Sequence, residues 1–124
     1  MGKYVLKPVK TGFVFNLKAG NGEVIGVSEV YTTKSACKKG IASVTKNAPI
    51  ANLEDQTIEG WTQAKNPTFE IYIDKAGEFR FRLRARNGQI ILASEGYTAK
   101  SGCLNGIESV RKNAESKTEE IEAK

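Results

Sequence analysis

The sequence contains no histidine. That absence excludes Ser-His and Cys-His nucleophilic pairs and every zinc site built on imidazole. Cysteine is almost as scarce: Cys37 and Cys103 are the only two, too far apart for a CxxC redox or zinc motif. No stretch approaches the roughly 20 apolar residues that a bilayer-spanning helix needs. The opening residues, Met1 to Leu6, lack a signal-peptide pattern, and Leu6 stands where a myristoylation signal after Gly2 wants serine or threonine. The expectation is a cytosolic protein without a membrane role. Charge of neither sign dominates, with 19 Lys and Arg against 14 Asp and Glu and a net charge of +5. Such a balance is compatible with a polyanionic partner and does not require one. At 124 residues the chain can bury one hydrophobic core and is too short for two.

What is present is a duplication. Sliding the chain by 66 residues lays Phe13 to Ala48 over Phe79 to Ala114, with 21 of 36 positions identical and no gap. Upstream the offset becomes 65, so that Tyr4 and Leu6 lie over Phe69 and Ile71, and the extra residue falls in a turn, where insertion is tolerated. Two copies in so short a chain must share their core, giving a single pseudo-two-fold domain: residues 1–57 the first repeat, 58–67 a connector, 68–124 the second.

Phe79, Phe81, Leu83 and Ala85 alternate with Arg80, Arg82, Arg84 and Arg86, the period of a half-buried strand. Asn21-Gly22 and Asn87-Gly88 then predict two-residue type I′ hairpins into a third strand. Thr32 and Thr98 are positioned to cap helices whose apolar faces are Cys37, Ile41, Val44, Ala48 and Cys103, Ile107, Val110, Ala114. Asn47 and Asn113 are expected to end them. Short segments follow, Asn52 to Thr57 and Lys117 to Glu122, and exchange of these between copies would cover open sheet edges. Trp61, in the connector, has no counterpart and is expected to pin that segment to the core.

The tandem pattern F-x-F-x-L-x-A-x-N-G, followed by S-E-x-Y-T-x-K-S-x-C-x-x-G-I-x-S-V-x-K-N-A, resembles the YegP-like family of small, largely bacterial proteins of uncharacterised function. The resemblance covers nearly the whole chain. It implies an α+β fold of two β3-α-β repeats in one continuous antiparallel sheet, with both helices on one face and the last strand of each repeat swapped to the other. It also implies that single-repeat relatives dimerise where this chain is a monomeric, covalent pseudo-dimer. No catalytic role and no cofactor come with it.

Candidate sites are few. Alternate strand residues lie about 7 Å apart on one face, so Arg80, Arg82, Arg84 and Arg86 could track phosphates. A two-residue turn at Asn87-Gly88 places Arg80 opposite Glu95, Arg84 opposite Ile91 and Arg86 opposite Gln89, while Glu70 falls opposite Arg82. That register leaves only Arg84 and Arg86 unneutralised. Lys18 is the basic residue at the matching place in the first copy, where Val14, Asn16 and Gly20 replace the other arginines. Lys34 and Lys100 begin the helices, where they oppose the helix dipole and would be more comfortable beside an anion. The adjacent pairs Glu54-Asp55 and Glu119-Glu120 point to opposite sheet faces and form no catalytic dyad. The expected activity is therefore a non-enzymatic binding module. A protein partner would meet the outer sheet face, with Val14, Ile25, Val27, Ile91 and Ala93 beside the arginines. Weak nucleic-acid or polyanion binding through Lys18, Arg84 and Arg86 is the alternative.

Overall fold

Each repeat makes three strands, a helix and a short final strand. In the computed structural model, which describes residues 2–121, these are β1 (Lys3–Val9), β2 (Gly12–Lys18), β3 (Val24–Val27), α1 (Lys34–Asn47) and β4 (Asn52–Asp55), then β5 (Thr68–Ile73), β6 (Phe79–Arg84), β7 (Ile90–Ala93), α2 (Lys100–Asn113) and β8 (Lys117–Glu120). Of the expected final segment, Glu122 lies outside the described residues. All eight strands join one sheet in the order β4-β5-β6-β7-β3-β2-β1-β8. The halves meet at Val27 and Ala93. The last strand of each repeat pairs with the first strand of the other, β4 beside β5 and β8 beside β1. Both edge pairings are parallel, so the sheet is antiparallel across its six inner strands and mixed at its borders. Parallel neighbours need a connection of about a dozen residues, and residues 56–67 supply it between β4 and β5.

Alternation puts Tyr4, Leu6, Phe15, Leu17, Phe69, Ile71, Phe81 and Leu83 on one face, all fully buried. Both helices cover that face, α1 against β1, β2 and β7, α2 against β2, β3 and β6. Cys37, Ile41 and Val44 with Cys103, Ile107 and Val110 complete one shared cluster. The paired glycines Gly40 and Gly106 are required for close approach. A Cβ at either would collide with the hydroxyl of Tyr31 or Tyr97, whose rings stack on Phe15 and Phe81. The helix ends are braced across the repeats. Tyr4 donates its hydroxyl to Ala114 O at 2.7 Å and Thr45 does so at 2.8 Å, while Arg111 donates to Ala48 O at 3.0 Å.

Four local expectations are corrected. The hairpin loops hold three residues, Gly20-Asn21-Gly22 and Arg86-Asn87-Gly88. The carbonyl of Ala19 accepts from Gly22 N–H and that of Ala85 from Gly88 N–H, with φ of 86° at Gly22 and 85° at Gly88 and no positive φ at either asparagine. Glycine alone takes the left-handed position, so the turn is a type I turn with a glycine bulge. Further bulges follow between Leu17 and Lys18 and between Leu83 and Arg84. A one-residue slip reverses the facing of a side chain, and Ile25 and Ile91, expected outside, lie in the core. The helix caps fall one residue later than Thr32 and Thr98. Thr33 caps α1, accepting from Ala36 N–H, and Ala99 occupies the α2 cap without a side-chain bond. Trp61 is 44% exposed and does not pin the connector. Polar bonds do so instead: Glu54 accepts from Ala64 N–H, and Lys65 O accepts from the Asn52 amide and the Thr68 hydroxyl.

Candidate functional site

The arginine row is built on β6 but is largely engaged by the chain's own carboxylates. Arg82 pairs with Glu70, its partner across β5 and β6 as expected, and its guanidinium lies 4.5 Å from the centre of the Tyr72 ring. Arg84 also bonds Glu70, at 2.9 Å, and donates to Gly88 O at 2.7 Å, contrary to its expected freedom. One carboxylate with two oxygens lies between two long side chains of the same strand, and it holds both. Burial alone would push the Glu70 carboxyl up, but hydrogen bonds from Arg82 and Arg84 outweigh it and keep it below the ordinary glutamate range.

Arg80 is held by Asp74 rather than Glu95. The 74–78 turn causes this: Asp74 accepts from the N–H groups of Ala76 and Glu78 through Oδ1, which leaves Oδ2 facing Arg80. The Arg80 bond leads in holding the Asp74 carboxyl low, and the Glu78 N–H adds to it. Arg86, expected opposite Gln89, sits in the turn because the loop is one residue longer than a type I′ hairpin. Of the four arginines, it alone has no carboxylate partner among the described residues.

The helix-start lysines have found anions inside the fold. Lys34 bonds Glu120 at 3.1 Å, joined by Lys38 at 2.9 Å, and Lys100 bonds Asp55. Glu120 and Asp55 end the two exchanged strands, so each lysine fastens a strand donated by the other repeat. The neighbouring carboxylates part as expected. Glu119 faces Lys3, and Glu54 is buried beside Gln56. Neither pair forms a dyad.

On the outer face the unneutralised charge lies in the first repeat's half. Lys3, Lys7, Lys18 and Lys117 share it with Glu119, whose carboxyl is held low first by the Lys3 bond and further by the Lys18 charge. Val14, Val27 and Ala93 stand half-buried beside them. On the helix side the structure adds a cleft of about 370 Å³ between α1 and the β6–β7 turn, lined by Lys39, Ser43, Lys46, Asn47 and Arg86. The spacing of Lys39, Ser43 and Lys46 marks one helix face, a signal present in the sequence. The apposition of Arg86 is visible only in the fold. Among the described residues, no three cysteine or carboxylate side chains gather as a metal site would need, and no helix is long and apolar enough to cross a membrane.

Both repeats match the model described as a domain of unknown function, DUF1508, at residues 10–55 and 74–120. A UPF0339 protein of Photorhabdus laumondii, plu2779, is 44% identical over 117 residues, covering 94% of this chain and 90% of that protein. A UPF0339 protein of Methanosarcina acetivorans is 61% identical over 46 residues, 37% of this chain but 79% of the relative, which is therefore about one repeat long. The solution NMR structure of yegP from E. coli, a protein of unknown function, aligns with a TM-score of 0.78 at 35% identity over 96% of this chain and 91% of that one. The chain thus belongs to the DUF1508 family, whose relatives carry the name UPF0339 and whose function is unknown.

Proposed function

We propose that this protein is a non-enzymatic binding module whose helix-free sheet face docks a partner protein bearing acidic and apolar side chains. The observation that carries this reading is the division of charge across that face. In the second repeat Arg80, Arg82 and Arg84 are matched by Asp74 and Glu70, whereas in the first four lysines surround one glutamate. Half-buried Val14, Val27 and Ala93 adjoin that basic half, and an apolar patch with a cationic rim suits a protein interface. The working unit in this reading is a monomer in the cytosol, a pseudo-dimer of residues 1–57 and 68–124 joined by 58–67. The buried free thiols of Cys37 and Cys103 fit a reducing compartment, and the one-repeat relative fits a unit that pairs with a copy of itself.

Nucleic-acid binding through Lys18, Arg84 and Arg86 draws less support, because Arg84 is engaged by Glu70 and Arg86 lies in the turn. The test is affinity capture from native lysate with wild-type bait and with a Val14→Asp, Lys7→Glu variant of unchanged thermal stability. A protein retained by the first and lost by the second is the expected result. Equal capture by both baits would overturn the outer-face reading. Salt-dependent filter binding of single-stranded DNA that survives in the same variant would favour the alternative through other cations.

A further inference from the structure

The two exchanged strands fill equivalent places and are held very differently. Asn52 stands opposite Thr68 and Lys117 opposite Lys3, which is the match of Thr68 at the offset of 65. Leu53, Glu54 and Asp55 of β4 therefore correspond to Thr118, Glu119 and Glu120 of β8. β4 is locked. Glu54 is buried and accepts from Ala64 N–H and the Gln56 amide, and Asn52 donates to Lys65 O.

β8 has no such anchor. All four of its residues are exposed, and Lys117, Glu119 and Glu120 are of types depleted in strands. Among the described residues its side-chain bonds are three ion pairs, Glu119 with Lys3 and Glu120 with Lys34 and Lys38, every partner at least 34% exposed. Pairs so solvated hold weakly.

The edge that β8 covers is of the opposite character. Tyr4, Val5 and Leu6 of β1 pair with it and are buried. Leu6 O accepts from Ile121 N–H at 2.8 Å. Strand residues alternate in facing, so the N–H groups of Lys117, Glu119 and Ile121 point at β1 and those of Thr118 and Glu120 point away. A buried apolar strand thus has its edge closed by a short polar one that is easily lifted.

We propose that β8 is a displaceable cover, and that the β1 edge beneath it receives an extended segment of a partner protein in which an apolar residue precedes two carboxylates. β8 shows the recognition it replaces: the β1 backbone sets the register, Lys3 takes the first carboxylate, and Lys34 and Lys38 take the second. β4 shows the gain, since it carries leucine at the place of Thr118, the residue opposite Tyr4. This is strand addition at a sheet edge, with the chain's own strand as competitor. It does not rest on the outer-face reading.

The experiment is an NMR titration of the full ¹⁵N-labelled chain with acetyl-Lys-Leu-Glu-Glu-Ile amide, following the backbone amides of residues 3–6 and 117–121. Parallel titrations use the peptide with glutamine for both glutamates, and two peptides methylated at one backbone nitrogen each. One carries the methyl on the first glutamate, whose N–H faces β1, and the other on the second, whose N–H faces away. Saturable shifts in both segments, with the amides of residues 52–55 unmoved, are the expected result. The inward methyl should weaken binding about tenfold and the outward methyl less than about twofold. Glutamine exchange should weaken it about threefold. A Glu119→Gln, Glu120→Gln variant loosens the competing strand and should bind the acidic peptide about threefold more tightly. Absence of a saturable shift at residues 3–6, equal weakening by the two methyl groups, or unchanged affinity in the variant would each overturn the proposal.

Discussion

Replacing Ala99 with threonine gives the second helix the cap that the first already has. Thr33 stands at φ −131°, ψ 155°, and its Oγ1 accepts from Ala36 N–H at 3.0 Å. Ala99 stands at φ −124°, ψ 144°, which differs by 7° and 11°, and makes no side-chain capping bond to α2. A hydroxyl placed on that backbone reaches Gly102 N–H as Thr33 reaches Ala36. Threonine-to-alanine exchange at an N-cap costs about 0.5 to 2 kcal/mol. Ala99 is exposed, so its replacement disturbs no packing. Ala99→Thr should therefore stabilise the fold by that amount and Thr33→Ala should destabilise it equally. Each kcal/mol corresponds to roughly 3 to 6 °C in Tm for a chain of this size. The two caps serve different helices, so the double variant should return near the wild-type midpoint. Thermal unfolding followed by far-UV circular dichroism measures all three. An Ala99→Thr midpoint at or below wild type would refute the transfer of cap geometry between copies.

Glu70→Gln should destabilise at neutral pH by about 1.5 kcal/mol, the lower end for a bond to a charged group because Arg82 and Arg84 are partly solvated. The folded pKa of Glu70 is depressed, so its contribution is present above the unfolded value of about 4.3 and fades as pH falls through the folded value. Urea titrations should accordingly show the variant and wild type converging below about pH 4; a constant gap down to pH 3 would contradict this. Cys37 and Cys103 are fully buried, and burial leads in pushing the Cys103 thiol up to about 11, with the Asp55 charge adding to it. A thiol reagent should label neither in the native chain at the rate of a free thiol, and rapid labelling of both would refute their burial. Neither half should be a stable monomer, since Ala48 O and Ala114 O are each capped from the other repeat and β4 and β8 pair across it. A concentration-independent cooperative transition from a monomeric 68–124 fragment would overturn that.

The fold was legible wherever one residue type answered to one local force. The alternation of Phe79 to Leu83 and the spacing of Cys37, Ile41 and Val44 mark buried faces, and both lie where the pattern places them. The hairpin was less legible. Asn-Gly is compatible with a two-residue and a three-residue loop, and only the chain's own hydrogen bonds choose between them. That choice moved Ile25 and Ile91 inward and Arg86 into the turn. The pairing of Glu70 with Arg82 followed from strand register, but its second bond to Arg84 depends on the reach of a long side chain. Asp74 was hidden for a similar reason, since a turn residue has no strand register to read. Lys34 and Lys100, offered by the sequence as places for an outside anion, bond Glu120 and Asp55 instead, at the ends of strands exchanged between repeats. The Asn47 cleft needed both the apposition of α1 with the β6–β7 turn and a comparison of the two copies.

A duplicated chain carries its own control, because each structural role is performed twice in one molecule. Gly40 and Gly106, and Ser28 and Ser94, are identical between copies. Each pair has matching contacts: the glycines admit Tyr31 and Tyr97, and the serines bond the N–H groups of Phe15 and Phe81. Identity at these places is explained by the fold alone and says nothing of a ligand. Divergence is more informative when it removes a bond without replacing it. Arg82 in place of Asn16 comes with Glu70 in place of Val5, so that change is compensated within the chain. Pro67 in place of Gly2 leaves Asn47 Oδ1 without a donor among the described residues, and Lys39, Lys46 and Arg86, which line the same cleft as Asn47, bond no carboxylate among them. Uncompensated change therefore separates the Asn47 cleft from the arginine row, although the arginines are the more conspicuous feature of the sequence.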